Sequence, residues 1–286
     1  MEAHGRNNTL VYAYTAGNTF PPPMLQYTPV RWVAFVMAAL FPALAVRALV
    51  AARAARVAWL GAAGAAGAAL ELVALILRGS AAGDDAVRMY AAQMALHLSG
   101  GVVLAAAQLA LTGRWIGGAG GAFLAHLGAT YAVVAGVCAC VGVPLEFVYD
   151  EGRRASGYRL TEAALIATLA LAPLGAALAA YHTDDPRQLL ARAGGPAVLL
   201  SAWASFALAR TTLAMDDIAN TSEALFYCLS VLPLGAVLGA WGALEEEEEE
   251  EGGCGCGPSR NVAAPSAACT HCAYEERLWQ AVRRYA

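Results

Sequence analysis

The chain has 286 residues, 59% of them hydrophobic and only 14% charged, against about 45–50% and about 25% in soluble domains, so an ordinary water-soluble domain is excluded. Its 18 cations face 22 acids, seven of which form the run from Glu245 to Glu251; the remainder is near balance and offers no basic surface to nucleic acid. Every cation is arginine, which rules out a P-loop, a Schiff-base site and a kinase, since each needs a lysine, and seven scattered cysteines make no disulfide framework.

Residues 1–29 lack the basic start and apolar core of a cleavable signal, so the first span is expected to direct insertion itself. A membrane helix needs about 20 mostly apolar residues to cross about 30 Å of hydrocarbon. Seven stretches qualify, at 30–52, 57–77, 88–111, 121–144, 160–181, 195–213 and 223–244. None alternates at period two as a barrel strand does. The expected class is therefore all-α, a polytopic seven-helix transmembrane bundle over 30–244. Gly61, Gly64 and Gly67 in the second span, and Gly235 with Gly239 in the seventh, are small residues expected to let helices approach closely.

The tail, 245–286, is acidic, then rich in Gly, Cys, Pro and Ser, and is expected to be a disordered cytosolic segment. Cys254, Cys256, Cys269, His271 and Cys272 suit zinc only within a structured framework, and palmitoylation only near the inner leaflet; an unmodified solvated tail is preferred. No cofactor is expected.

Arginines divide almost evenly between the two sets of loops, so the positive-inside rule does not orient the chain. The sequons Asn7-Asn8-Thr9 and Asn220-Thr221-Ser222 fall on one face of a seven-span protein, and favour an extracellular N-terminus with a cytosolic C-terminus. The plasma membrane is the expected location.

Polar side chains at membrane depth are costly and are functional candidates by default. Glu71 lies six residues before the end of the second span, about 9 Å below its boundary at about 1.5 Å per residue. Arg78 is two turns on along the same face. The third span carries Tyr90, Gln93 and His97 down one face, so these five residues are expected to form one polar cluster, a candidate substrate site. Gln108 and His126 are expected to meet near the inner ends of the third and fourth spans. Arg210, Asp217 and Glu223 are expected to form ion pairs tying the sixth span to the seventh. For Gln93 and Gln108, and to a lesser degree for His97 and His126, simple helix cross-linking is the preferred role; for Glu71 the structural and functional roles stand even.

The spacing resembles the fungal RTA-like family of seven-span lipid-translocating exporters. Tyr27-Thr28-Pro29 matches the family's opening Tyr-x-Pro; Glu71 and Arg78 match its second-span Glu and Arg. Tyr90, Gln93, Gly113 and Arg114 match its third span, Arg210 and Asp217 the end of its sixth, and Glu223, Tyr227 and Pro233 its seventh. Together these cover 27 to 244 in order. The family's third-span Pro is Gly101 here, its fourth-span Asp and Gln are missing, and Ala214 replaces an Arg. The resemblance implies a seven-helix fold, structural roles for Arg114, Arg210, Asp217, Glu223 and Tyr227, and export of sphingoid long-chain bases or sterol-like compounds, with resistance to toxic lipids.

The leading expectation is thus a non-enzymatic translocator whose partners are membrane lipids and a small amphipathic lipid, its cationic head met by Glu71. The oligomeric state is open. The alternative is a seven-span lipid or stress sensor, disfavoured by short cytosolic loops. A zinc hydrolase needs ligands gathered at one face, whereas His97, His126 and His182 lie at differing depths.

Overall fold

Without water in the bilayer core, a long apolar segment satisfies its backbone by coiling into a helix, and all seven expected spans do so. The computed structural model describes residues 31–54, 58–80, 86–148, 150–183, 185–212 and 222–251. No strand occurs among them. Among the described residues, seven helices are long and apolar enough to cross a membrane. They are α1 (Arg31–Ala54), α2 (Ala58–Ser80), α3 (Ala86–Ile116), α4 (Gly118–Glu146), α5 (Glu151–His182), α6 (Pro186–Thr212) and α7 (223–251). Two compact units divide the chain, Met1–Glu247 with the spans and Glu248–Ala286, of which only the helical residues to Glu251 are described.

Local chemistry sets several helix ends earlier than hydropathy does. Asp150 caps α5 by accepting from the Arg153 amide at 2.7 Å, so the helix starts at Glu151 rather than near 160. Asp185 accepts from the Arg187 amide at 2.8 Å, and Pro186 takes the first helical position, so α6 starts nine residues before the apolar stretch. Ser222 caps α7 through the Leu225 amide. At its other end α7 runs into the Glu run as far as Glu251. Residues 252–286 lie outside the described residues.

Contacts between helices give their directions. Phe35 packs on Gly79 and Ala48 on Gly64, so α1 and α2 are antiparallel. Close approach of Gly113 to Gly121, and of Gly142 to Gly157, makes α3/α4 and α4/α5 antiparallel as well. The α3–α4 link is the single residue Gly117; it and Gly118 take φ of 68° and 58°, a left-handed conformation that glycine adopts without strain. Below, "upper" denotes the face carrying the 147–150 link and "lower" the face carrying Gly117.

α3 is the axis of the bundle. Within its apolar window 67% of residues are buried, against 22% for α1. α3 packs on α2, α4, α5 and α6, and bonds to α7 through side chains. α1 is peripheral: Trp32, Val36, Leu40 and Val46 point outward, as a lipid-facing surface requires. Of the expected packing glycines, Gly64 and Gly67 do pack tightly, against Ala48 and Leu104. A Cβ at Gly235 would make only ordinary contact and one at Gly239 would meet nothing within 4 Å, so the seventh-span pair is not a packing motif. Tight packing falls instead on Gly100 and Gly101 of α3, which receive Glu71 of α2 and Trp203 of α6.

Candidate functional site

The polar side chains of the upper half turn toward one another and away from the lipid-facing surface. Glu71 of α2 is fully buried, and its Oε2 lies 2.7 Å from His97 Nδ1 of α3. Trp203 of α6 donates its indole N–H to His97 Nε2 at 3.3 Å. An indole nitrogen only donates, so Nε2 is an acceptor and Nδ1 carries the hydrogen that Glu71 receives. Ser230 of α7 completes the set, its hydroxyl 2.5 Å from Nε2. One imidazole therefore joins four helices. Glu71 Oε1 has no hydrogen-bond partner and rests against the backbone at Gly100.

Above this set lies a second one. Arg78, buried near the top of α2, holds Glu223 of α7 through both Nε and Nη2 at 2.9 Å. Its guanidinium sits 4.0 Å from the centre of the Phe226 ring and 5.9 Å from that of Tyr227. Arg210 of α6 stacks on the same Phe226 ring at 5.3 Å and donates from Nη2 to the Tyr90 hydroxyl at 3.0 Å. Tyr90 in turn packs edge-on against Phe147. A π-helical turn over Tyr227–Val231 buries Tyr227, Ser230 and Val231 together; such wide turns recur at functional positions of membrane and soluble helices.

The expected five-residue cluster is thus split. Glu71 and His97 meet; Arg78 is engaged by Glu223, and Tyr90 by Arg210. Gln93 is buried, yet neither end of its amide has a hydrogen-bond partner. Glu223 projects from the first turn of α7 and pairs with Arg78 of α2, while Arg210 donates to Tyr90 of α3 and meets α7 at the Phe226 ring. Asp217, both sequons, the Tyr27-Thr28-Pro29 motif and Ala214 lie outside the described residues. Arg114 is exposed at the lower end of α3, at the opposite end from the cluster.

Gln108 and His126 do not meet. His126 is exposed on α4 and pairs within its own helix, with the Ala122 carbonyl at 2.8 Å. Gln108 donates to the Arg192 carbonyl at 2.7 Å, in a second π-helical turn (Leu190–Gly194), and accepts from the Trp241 indole at 2.7 Å. It is a cross-link between α3, α6 and α7 in the lower half. Two more cross-links join α4 to α5: Thr161 donates to buried Glu146 at 2.5 Å, and Tyr131 donates to Thr168, whose own hydroxyl donates to the Ala164 carbonyl. Sequence reasoning missed Glu146 because it sits in a stretch read as a loop. Trp203 was missed because a tryptophan in an apolar span reads as core, and Ser230 because a lone serine in an apolar span carries little signal.

In the lower half, α2, α3 and α4 leave a sideways-open groove of about 340 Å³, lined by Trp59, Ala63, Ala107, Ala110, Gly128 and Ala132 among others. Its lining is apolar because alanine and glycine replace the larger side chains that would fill it. Two of the three helices that build it, α2 and α3, also carry Glu71 and His97. Among the described residues no three His, Cys, Asp or Glu side chains gather as metal ligands would. Compared with family models, curated proteins and solved structures, the chain matches none.

Proposed function

We propose that the chain is a multi-pass membrane translocator of amphipathic lipids, not an enzyme. The observation that carries this reading is the Glu71 carboxylate: wholly buried among apolar helices, held by His97 through one oxygen, with the other oxygen left without a hydrogen-bond partner. Burying such a group is costly, and membrane proteins retain ionisable side chains at this depth mainly where they serve ions or substrates. The apolar groove on the same two helices supplies the complementary requirement, a place for a hydrocarbon body. The lower groove and the upper carboxylate suit a molecule with a tail and a cationic head.

The RTA-like resemblance supports long-chain bases and sterol-like compounds as the substrate class, with a plasma-membrane location. The sequon positions support an extracellular upper face. The test is efflux of a labelled sphingoid base and of a sterol analogue from cells lacking and cells overproducing the protein. Overproduction is expected to raise efflux and resistance, and Glu71→Gln to abolish the gain at unchanged protein level. Unchanged efflux in that variant removes the carboxylate from the mechanism.

A further inference from the structure

Leu104 stands between the groove and the buried carboxylate. The uppermost lining residues of the groove on α2 and α3 are Ala63 and Val103. One turn above Ala63 on the same helix face is Gly67, and one turn above that is Glu71. α3 meets this face with Leu104 and Gly100. A Cβ at Gly67 would lie 2.7 Å from Leu104 Cδ2 and 3.6 Å from the Gly100 carbonyl oxygen, and one at Gly100 would lie 2.7 Å from Glu71 Oε1. Oε1 is the carboxylate oxygen without a hydrogen-bond partner. The side chain wedged into the seam at Gly67 is thus Leu104, which is itself fully buried.

The other approaches to Glu71 and His97 are filled by large or bonded side chains. On the upper side Phe226 lies 5.4 Å from the His97 ring, is 1% exposed, and has Arg78 and Arg210 stacked on it at 4.0 and 5.3 Å. Toward α6 and α7 the way is closed by Trp203 and Ser230, both buried and both bonded to His97. Along the α2–α3 seam, by contrast, alanine and glycine line the way and leave room that one leucine takes up. A leucine side chain changes between staggered rotamers by rotation about its own bonds, with no backbone hydrogen bond broken.

We propose that Leu104 is a gate: seated on Gly67 it closes Glu71 off from the groove, and turned away it admits a cationic amphiphile to the carboxylate sideways, out of the membrane's hydrocarbon. The proposal rests on the reading of groove and carboxylate as tail and head sites, and adds the route and the residue whose size decides passage. Leu104 acts through the space it fills, so it sets specificity without bonding the ligand.

The test reads access to Glu71 in the full chain, reconstituted in neutral lipid nanodiscs, with no transport step. The probe is dicyclohexylcarbodiimide, an apolar reagent that partitions into hydrocarbon; a quaternary-ammonium carbodiimide, confined to water, is the control. With either reagent the carboxyl oxygen bonds to the carbodiimide carbon and the acid's proton goes to a nitrogen. The O-acylisourea so formed rearranges to a stable N-acylurea, which peptide mass spectrometry locates at Glu71. Leu104→Ala is expected to raise the apolar reagent's labelling rate by at least about tenfold, because the rate follows the open fraction. Leu104→Met is expected to stay within about threefold of the wild type, since it conserves volume. Ala63→Phe, which fills the groove beside the gate, is expected to return the Leu104→Ala protein to the wild-type rate. An unchanged rate in folded Leu104→Ala overturns the gate, and so does an equal rise with both reagents, which marks general loosening. If Leu104→Ala does not fold, Ala63→Phe alone decides: slower labelling supports the lateral route and unchanged labelling contradicts it. A long-chain ammonium amphiphile is expected to protect Glu71 from the apolar reagent. Failure to protect, with the Leu104 dependence intact, removes the head-site reading and leaves the gate standing.

Discussion

Glu71 Oε2 meets His97 Nδ1 at 2.7 Å at a depth where neither side chain touches solvent. The other ring nitrogen faces Trp203 and Ser230, so the imidazole is the common partner of three groups on three other helices. His97→Ala removes all three bonds at once and leaves a carboxylate, a hydroxyl and an indole N–H buried. The expected loss is about 3 kcal/mol, larger than the single interhelical bond of about 1 kcal/mol that a simple cross-link provides. Denaturant or SDS unfolding of the purified protein measures it.

Arg78 and Glu223 form the second tie, between α2 and α7. Removing one partner of a buried ion pair strands the other, so Arg78→Gln is expected to cost about 3 kcal/mol. The double variant Arg78→Gln with Glu223→Gln is expected to regain more than about 1 kcal/mol of that in a double-mutant cycle. Additive losses in the same unfolding assay contradict a direct pair.

A Cβ placed on Gly101 would lie 2.1 Å from the Trp203 ring, whereas one on Gly239 would meet nothing within 4 Å. Gly101→Ala is therefore expected to destabilise by about 2–3 kcal/mol through overpacking, and to displace the indole that bonds His97. Gly239→Ala is expected to be neutral within about 0.5 kcal/mol, since neither packing nor a special backbone angle opposes it. Melting temperatures in one detergent compare the two.

Hydropathy made the class and the number of spans legible, because a run of Ala, Leu and Val long enough to cross a bilayer has few alternatives to a helix. It set helix ends less well: Asp150 and Asp185 begin α5 and α6 in polar sequence that hydropathy assigns to loops. Depth counting brought Glu71 to His97 correctly, since both lie on consecutive antiparallel helices joined by a short link. It did not find the Arg78–Glu223 and Arg210–Tyr90 pairs, which depend on rotation of α6 and α7 about their axes. The two π-helical turns change that rotation, and neither has a pattern that single-sequence reading detects. His126 failed for a related reason: a histidine in an apolar span was expected to face inward, yet it satisfies a ring nitrogen on its own helix and faces out.

Gln108 was legible as a cross-link but not in its partners, a backbone carbonyl of α6 and the Trp241 indole. Trp241→Phe leaves the Gln108 carbonyl oxygen buried without its donor, and is expected to cost about 1–2 kcal/mol. The same unfolding assay reads it, with Trp59→Phe at the groove mouth as a comparison expected to cost less, since that ring is half exposed.

Sidedness of the two termini tests the central claim most directly, because seven crossings place the chain's ends on opposite faces of the membrane. An epitope fused before Met1 and another after Ala286 are to be probed in intact and in permeabilised cells. Exactly one epitope reached in intact cells, and both after permeabilisation, is the expected result. Both reached from the same side contradicts seven crossings, and with them the placement of Glu71 and His97 inside the bilayer.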